Sequence, residues 1–229
     1  MANASPAALN ARVRLALTVA VVCAAAIALI AALAPAGGSS AGPTPVRTGL
    51  FYGATLPSST AAVDFALRDQ NGQLVHLSDY AGSVTAVTFL YSTCANTCTT
   101  IVSQLSAAID ELAHPIPALA ISVDPKQDST TNVKSFLLHQ QALASLHLLV
   151  ARRSVLEPIW KLFAVTPQRH LKSAKADFSV EVVLIDKTGH PRVAYRGLSA
   201  LDNPDVIAAD IRTLEAQPMP AHPPTRRDI

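Results

Sequence analysis

Beyond residue 23 the chain has two cysteines. They sit four apart in Phe89-Leu-Tyr-Ser-Thr-Cys94-Ala-Asn-Thr-Cys98-Thr-Thr100. A thiolate is both a nucleophile and a soft metal ligand, so such a pair can tie a turn, exchange disulfides or hold a soft metal. Four helical residues rise about 6 Å, inside the roughly 4.4–6.8 Å Cα separation of a disulfide. A purely structural bridge here would close a three-residue loop and restrict the unfolded chain very little. A helix start offers free N–H groups and the positive end of the helix dipole, which lower a thiol pKa. Its place at that start makes Cys94 the expected attacking sulfur.

The flanking residues supply such a junction. Val84–Leu90 is a β-branched apolar run and reads as a buried central strand. Residues 98–113 carry Ile101, Leu105, Ile109 and Leu112 on one helical face. Upstream, Val63–Leu67 and Gln73–Leu77 read as a hairpin across Asp69-Gln-Asn-Gly72. Downstream, strands at Ile116–Val123 and Leu146–Val150 alternate with helices at Ser129–Ala142, capped by Ser129 or Thr130, and at Val155–Phe163, which holds the single tryptophan, Trp160. Val180–Ile185 and Arg192–Tyr195 form a second hairpin across Asp186-Lys-Thr-Gly189, expected at the sheet edge. Asn203–Ala216 is a last helix with Val206, Ile207, Ile211 and Leu214 inward. This order predicts an α/β fold with a central mixed sheet flanked by helices. Asp124 and Asp128 follow a strand end, where open α/β sheets place their ligand crevice. They are candidates to shape the site, and helix capping is an equal reading for Asp128.

These stretches resemble the Sco/SenC family, thioredoxin-fold proteins of the mitochondrial inner membrane and the bacterial periplasm. The resemblance is carried by Asp64-Phe-Ala-Leu-Arg-Asp69 with Asn71-Gly72, by Thr88-Phe-Leu-Tyr-Ser-Thr-Cys94-x3-Cys98, by Ile121-Ser-Val-Asp-Pro125 with Asp128, and by Leu184-Ile-Asp186 with Gly189. It covers roughly 61–200. It implies a thioredoxin-like domain whose Cys94 and Cys98 bind copper. The implied role is delivery of copper to the binuclear centre of cytochrome c oxidase, or reduction of that centre's cysteines before loading. The implied partner is the copper-bearing oxidase subunit or another copper or thiol protein.

Two departures bear on the metal. The family follows its second cysteine with proline, and here Thr99 follows Cys98. The family places Asp-His-Ser shortly before Leu-Ile-Asp, and here Asp177-Phe178-Ser179 stands there. Phe178 has no lone pair to give. Two thiolates alone still suit soft Cu(I), whereas Cu(II) wants nitrogen. His170, in the polar stretch Thr166–Asp177 with Arg169, Lys172 and Lys175, is the candidate substitute ligand. These cations read as solvated surface, or as a field favouring thiolates or an acidic partner. His76, His114, His139, His147, His190 and His222 read as structural or solvated.

Two further uses of the dithiol stay open. A thiol–disulfide oxidoreductase without copper would attack a client disulfide through Cys94 and resolve it through Cys98. A peroxidase-like site would need an arginine near an activated thiolate, which the sequence does not place. No Ser-His-Asp order, phosphate loop or zinc spacing stands out.

Composition narrows the setting. Of 229 residues, 50% are hydrophobic and only 15% charged, which excludes a disordered chain. Leu15–Ala34 is a run of twenty residues with no charge, behind Arg12 and Arg14. It reads as a transmembrane helix with the N-terminus held in the cytoplasm. Ala34-Pro-Ala36 offers the competing reading of a cleaved signal, although the run exceeds a usual signal core. The expected location is the bacterial cytoplasmic membrane, single-pass, with the soluble domain on the extracytoplasmic side. The expected organisation is a tail (1–14), the anchor (15–34), a Pro/Gly/Ser/Thr-rich linker (35–60), the domain (61–216) and a Pro-rich disordered tail (217–229). Four of the 18 Lys and Arg, and one of the 16 acids, lie in the terminal tails, which leaves a near-neutral domain. No basic stripe for nucleic acid is visible.

Overall fold

A computed structural model describes residues 47, 49–57, 60, 63–94, 96–167 and 179–219. The chain divides into units 1–44 and 45–229, and every described residue belongs to the second. Eight strands are present among these residues: β1 (Ala54–Thr55), β2 (Ala66–Arg68), β3 (Leu74–His76), β4 (Thr85–Leu90), β5 (Ala118–Ser122), β6 (His147–Leu149), β7 (Glu181–Ile185) and β8 (Pro191–Arg196). The helices are α1 (Asn96–Asp110), α2 (Thr130–His139), α3 (Arg153–Leu162) and α4 (Pro204–Glu215). Six strands form one mixed sheet in the order β1-β8-β7-β4-β5-β6, and β2-β3 form a separate hairpin.

The centre of the sheet follows from its residues. All six residues of β4 and all five of β5 are buried, and only apolar or hydrogen-bonded side chains tolerate that. Thr88 meets the condition by donating its hydroxyl to the Glu181 carbonyl at 2.9 Å. β4 runs parallel to β5, with Leu90 opposite Ser122, and β5 parallel to β6, with Ile121 opposite Leu149. The C-terminal ends of three strands therefore lie side by side, and each leads to a helix start. That end carries the cysteines.

The β2-β3 hairpin forms as expected. Asp69 Oδ1 accepts from the Asn71 and Gln73 amides, and Gly72 takes φ of 77°, where a side chain would be strained. The hairpin closes over the β6 edge: Val150 N–H donates to Arg68 O at 2.7 Å and Leu148 N–H to Gln70 Oε1 at 3.1 Å. An edge so covered offers no template for another chain.

Four expectations are corrected. The β7-β8 pair is not the sheet edge, because β1 pairs outside β8 with Ala54 opposite Ala194. The stretch 35–60 is accordingly not all linker: Phe51 is 1% exposed. A buried carboxylate fixes this strand. Asp210 accepts from the Tyr52 and Gly53 amides at 2.9 Å and from the Tyr195 hydroxyl at 2.6 Å. Composition hid the strand, although Leu50-Phe-Tyr52 was its apolar signal. Helix α1 begins at Asn96 and ends at Asp110, so Cys98 lies inside the first turn and Leu112 beyond the last. Helix α2 stops at His139, and Gln141 reverses the chain at φ of 56°.

Among the described residues no helix is long and apolar enough to cross a membrane. The expected anchor, Leu15–Ala34, lies outside them.

Candidate functional site: a dithiol at a strand–helix junction

Strand β4 ends at Leu90, and the chain turns through Tyr91–Cys94, with Cys94 N–H donating to Tyr91 O at 3.2 Å. Cys94 and Cys98 are joined as a disulfide with Cα atoms 5.7 Å apart. Cys98, the third residue of α1, is 0% exposed, whereas Cys94 is 8% exposed. The Cys98 amide also donates to the Cys94 sulfur at 3.2 Å. It is one of the N–H groups that a helix start leaves without an intrahelical partner. The same donor would steady a thiolate once the bridge is reduced. Cys94 is thus the more exposed of the two residues, and its sulfur is the one that receives the helix-start amide.

The turn is tied to the neighbouring strand. Val123 N–H donates to Leu90 O at 2.9 Å. Asp128 Oδ1 accepts from the Ser92 amide at 2.8 Å, and its Oδ2 accepts from the Ser122 hydroxyl at 2.5 Å. Asp128 is therefore not the cap of α2. Ser129 is, accepting from the Asn132 amide at 3.1 Å. Burial pushes the Asp128 carboxyl above the ordinary aspartate value, against the lowering effect of the Ser122 and Ser92 bonds. The Tyr91 phenol is likewise raised, by burial first and then by the charges of Asp124 and Asp128.

Sequence reasoning singled out Asp128 and missed its partners. Ser122 is the one hydroxyl in the otherwise apolar strand Ala118-Leu-Ala-Ile-Ser122, and that contrast was its signal. Trp160 donates its indole N–H to the Ser122 carbonyl at 3.0 Å. Helix periodicity alone shows no such bond. Phe163 packs edge-to-face on Phe89 of β4 with ring centroids 5.4 Å apart.

An open groove beside the turn is lined by Ser92, Thr93, Asn132, Ser135, Phe136 and His139. His139 turns its Nδ1 to the Ser135 carbonyl at 2.6 Å. Of the other described histidines (His76, His114, His147 and His190), His147 stands against Asp69 at 3.4 Å and His190 against Thr188 at 2.8 Å. Among the described residues no group of three or more His, Cys, Asp or Glu is placed to hold a metal. His170 and Phe178, with Arg169, Lys172 and Lys175, lie outside the described residues. The donor set in view is two sulfurs. Reduced to thiolates, the pair would fit a soft monovalent ion and not one that wants nitrogen.

Comparison with known proteins agrees with this arrangement. A family model described as SCO1/SenC matches residues 54–216. The SCO2-like proteins of Rickettsia felis and Rickettsia conorii are each 30% identical over 79 residues, which is 33% of this chain and 38% of theirs. The matched part thus spans well under half of these curated relatives. Among solved structures, copper-bound ScoI of Bradyrhizobium japonicum aligns over 67% of this chain and 99% of its own, with a TM-score of 0.54 and 24% identity. The apo Sco1 protein of Thermus thermophilus gives 0.60 at 22% identity over 76% and 99%. Yeast Sco1 gives 0.59 at 20% over 72% and 100%. These likenesses show the fold, a thioredoxin-like mixed sheet with helices.

Proposed function

The chain belongs to the SCO1/SenC family, and from that premise we propose that it is a membrane-anchored copper-handling protein assisting assembly of an oxidase copper centre. In this reading Cys94 and Cys98, once reduced, hold Cu(I) as two thiolates. Copper is the cargo, and a copper-bearing subunit of cytochrome c oxidase is the receiver. The run Leu15–Ala34 anchors the chain in a bacterial cytoplasmic membrane, with Arg12 and Arg14 inside and the domain outside. The copper-bound structures of related proteins support the choice of metal. The observation that carries the reading is the cysteine pair itself, closed within one turn at a helix start, with Cα atoms 5.7 Å apart.

Without a histidine at position 178 the reading favours Cu(I) over Cu(II). The full chain in detergent, reduced, is titrated with Cu(I) against a competing chelator. One ion per chain is expected to be retained. Cys94→Ser and Cys98→Ser are expected to lose it, and Phe178→His to gain retention of Cu(II). Loss of Cu(I) retention on His170→Ala would assign that residue as the substitute ligand. A parent that retains no copper yet exchanges disulfides readily would overturn the metal reading.

One observation favours a second reading. The bridge is formed, and Cys94 is its more exposed residue. In a copper-independent exchange the Cys94 thiolate attacks a client disulfide, and one client cysteine leaves as a thiolate. Cys98 then attacks the mixed disulfide and releases the second. Two electrons pass to the client, and Cys94–Cys98 is left oxidised.

A further inference from the structure

Cys94 precedes α1 and is not held by that helix's own ladder. Its amide donates to Tyr91 O at 3.2 Å. What orients the turn comes from outside it. Two residues before Cys94, the Ser92 amide donates to Asp128 Oδ1 at 2.8 Å. The other carboxylate oxygen accepts from Ser122 at 2.5 Å, and the Asp128 amide donates to the Asp124 carbonyl at 3.0 Å. Ser122 is itself fixed: its hydroxyl accepts from the Asp124 amide at 3.2 Å and its carbonyl from the Trp160 indole at 3.0 Å. Trp160 is 2% exposed. A rigid chain of bonds thus runs from the core through one carboxylate to the backbone that carries the attacking sulfur.

We propose that Asp128 is a positioning residue for the dithiol, its carboxylate holding the Tyr91–Cys94 turn so that the two sulfurs stay within bonding reach. Ring closure of a dithiol depends on how well its two sulfurs are held together before the bond forms, as any intramolecular reaction does. Fixing the turn to β5 therefore favours the disulfide over the open dithiol. Loosening it weakens that preference even when the rest of the domain is intact. This rests on the redox use of Cys94 and Cys98 and not on copper.

The test is the equilibrium of the full chain in detergent with dithiothreitol. Protein disulfide plus reduced dithiothreitol gives protein dithiol plus the oxidised cyclic reagent. The Cys94–Cys98 state is read by alkylation and mass. Asp128→Ala removes both acceptors and is expected to shift the equilibrium toward the dithiol by about tenfold or more, the scale of a hydrogen bond to a charged group. Asp128→Asn keeps an acceptor for the Ser92 amide and a donor toward Ser122, and is expected within about threefold of the parent. Ser122→Ala, which leaves one carboxylate oxygen unfixed, is expected to shift in the same direction by less. A merely structural role would lower the melting temperature and leave the equilibrium alone. Folded variants at the parental equilibrium overturn the proposal, as does an Asp128→Asn shift as large as that of Asp128→Ala. Should Asp128→Ala not fold, Ser122→Ala decides: a shift supports the proposal and a parental value overturns it. Retention of Cu(I) is measured separately, so a chain that holds no copper does not bear on this result.

Discussion

Single residues set the local chemistry by deciding where polar groups go when they leave water. Asp186 closes the β7-β8 turn. Its Oδ1 accepts from the Thr188 amide and hydroxyl at 2.8 and 2.6 Å and from the His190 amide at 3.1 Å, and its Oδ2 accepts from Arg192 at 3.1 Å. Burial by itself would raise this carboxyl, but the bonds from Thr188, His190 and Arg192 outweigh it and hold the pKa below the ordinary 3.8. A carboxyl lowered on folding contributes stability that is fully present above its unfolded value. That stability is lost as pH falls through the folded one. Acid unfolding is therefore expected to steepen below about pH 4. Asp186→Asn is expected to flatten that part of the curve, measured by denaturant unfolding at a series of pH values. An unchanged acid limb would remove Asp186 as its cause. Asp128 and Glu181 act in the opposite sense, because burial raises both. Between their ordinary and raised values, rising pH costs stability.

Among the elements, the two ends of the sheet order are held by different means. The β6 edge is covered by the β2-β3 hairpin. The β1 edge is a two-residue strand, too short to persist on ladder bonds alone, and the Asp210 carboxylate under Tyr52 and Gly53 secures it. The fit is close: a Cβ on Gly53 would lie 2.4 Å from Val193 Cγ1 and 2.9 Å from Tyr195 Cζ. Gly53→Ala must displace those side chains or β1 itself. A loss of about 1–3 kcal/mol is expected, read as a lower denaturant midpoint. The dithiol–disulfide equilibrium is expected to stay parental, because β8, β7 and β4 intervene in the sheet between β1 and the β5 strand end that ties the site. A Gly53→Ala chain as stable as the parent would mean that β1 adjusts freely.

At the scale of the whole chain, the question is where the folded domain starts. The linker composition of 35–60 suggested a start at 61, and Phe51 with β1 moves it earlier. Cutting at 61 removes a buried aromatic side chain and leaves Asp210 without two of its donors. A chain of residues 45–229 is expected to leave the membrane fraction and to unfold cooperatively. One of residues 61–229 is expected to be less stable by at least about 3 kcal/mol, the cost of losing one buried aromatic group. The full chain is expected to resist alkaline extraction from membranes. Equal stability of the two shortened chains would return the boundary to 61, and extraction of the full chain would argue against Leu15–Ala34 as an anchor.

The sequence by itself determined the class of fold, the strand–helix junction and the cysteine pair. Each is written in local periodicity or in spacing along the chain, and burial enforces both: a β-branched, largely apolar β4 is buried on both faces, and four residues set the reach of two sulfurs. Family resemblance read from the same residues implied a third-ligand position, and the sequence has Phe178 there. Only the tertiary structure decided the partners that meet from far apart in the chain. Asp210 reaches Tyr52 across 158 positions, and Asp128 reaches Ser92 across 36. A carboxylate's type says that it must find donors once it is buried. Which donors it finds depends, for Asp128, on strands β4 and β5 lying parallel and, for Asp210, on β1 pairing with β8, and no local pattern encodes either register.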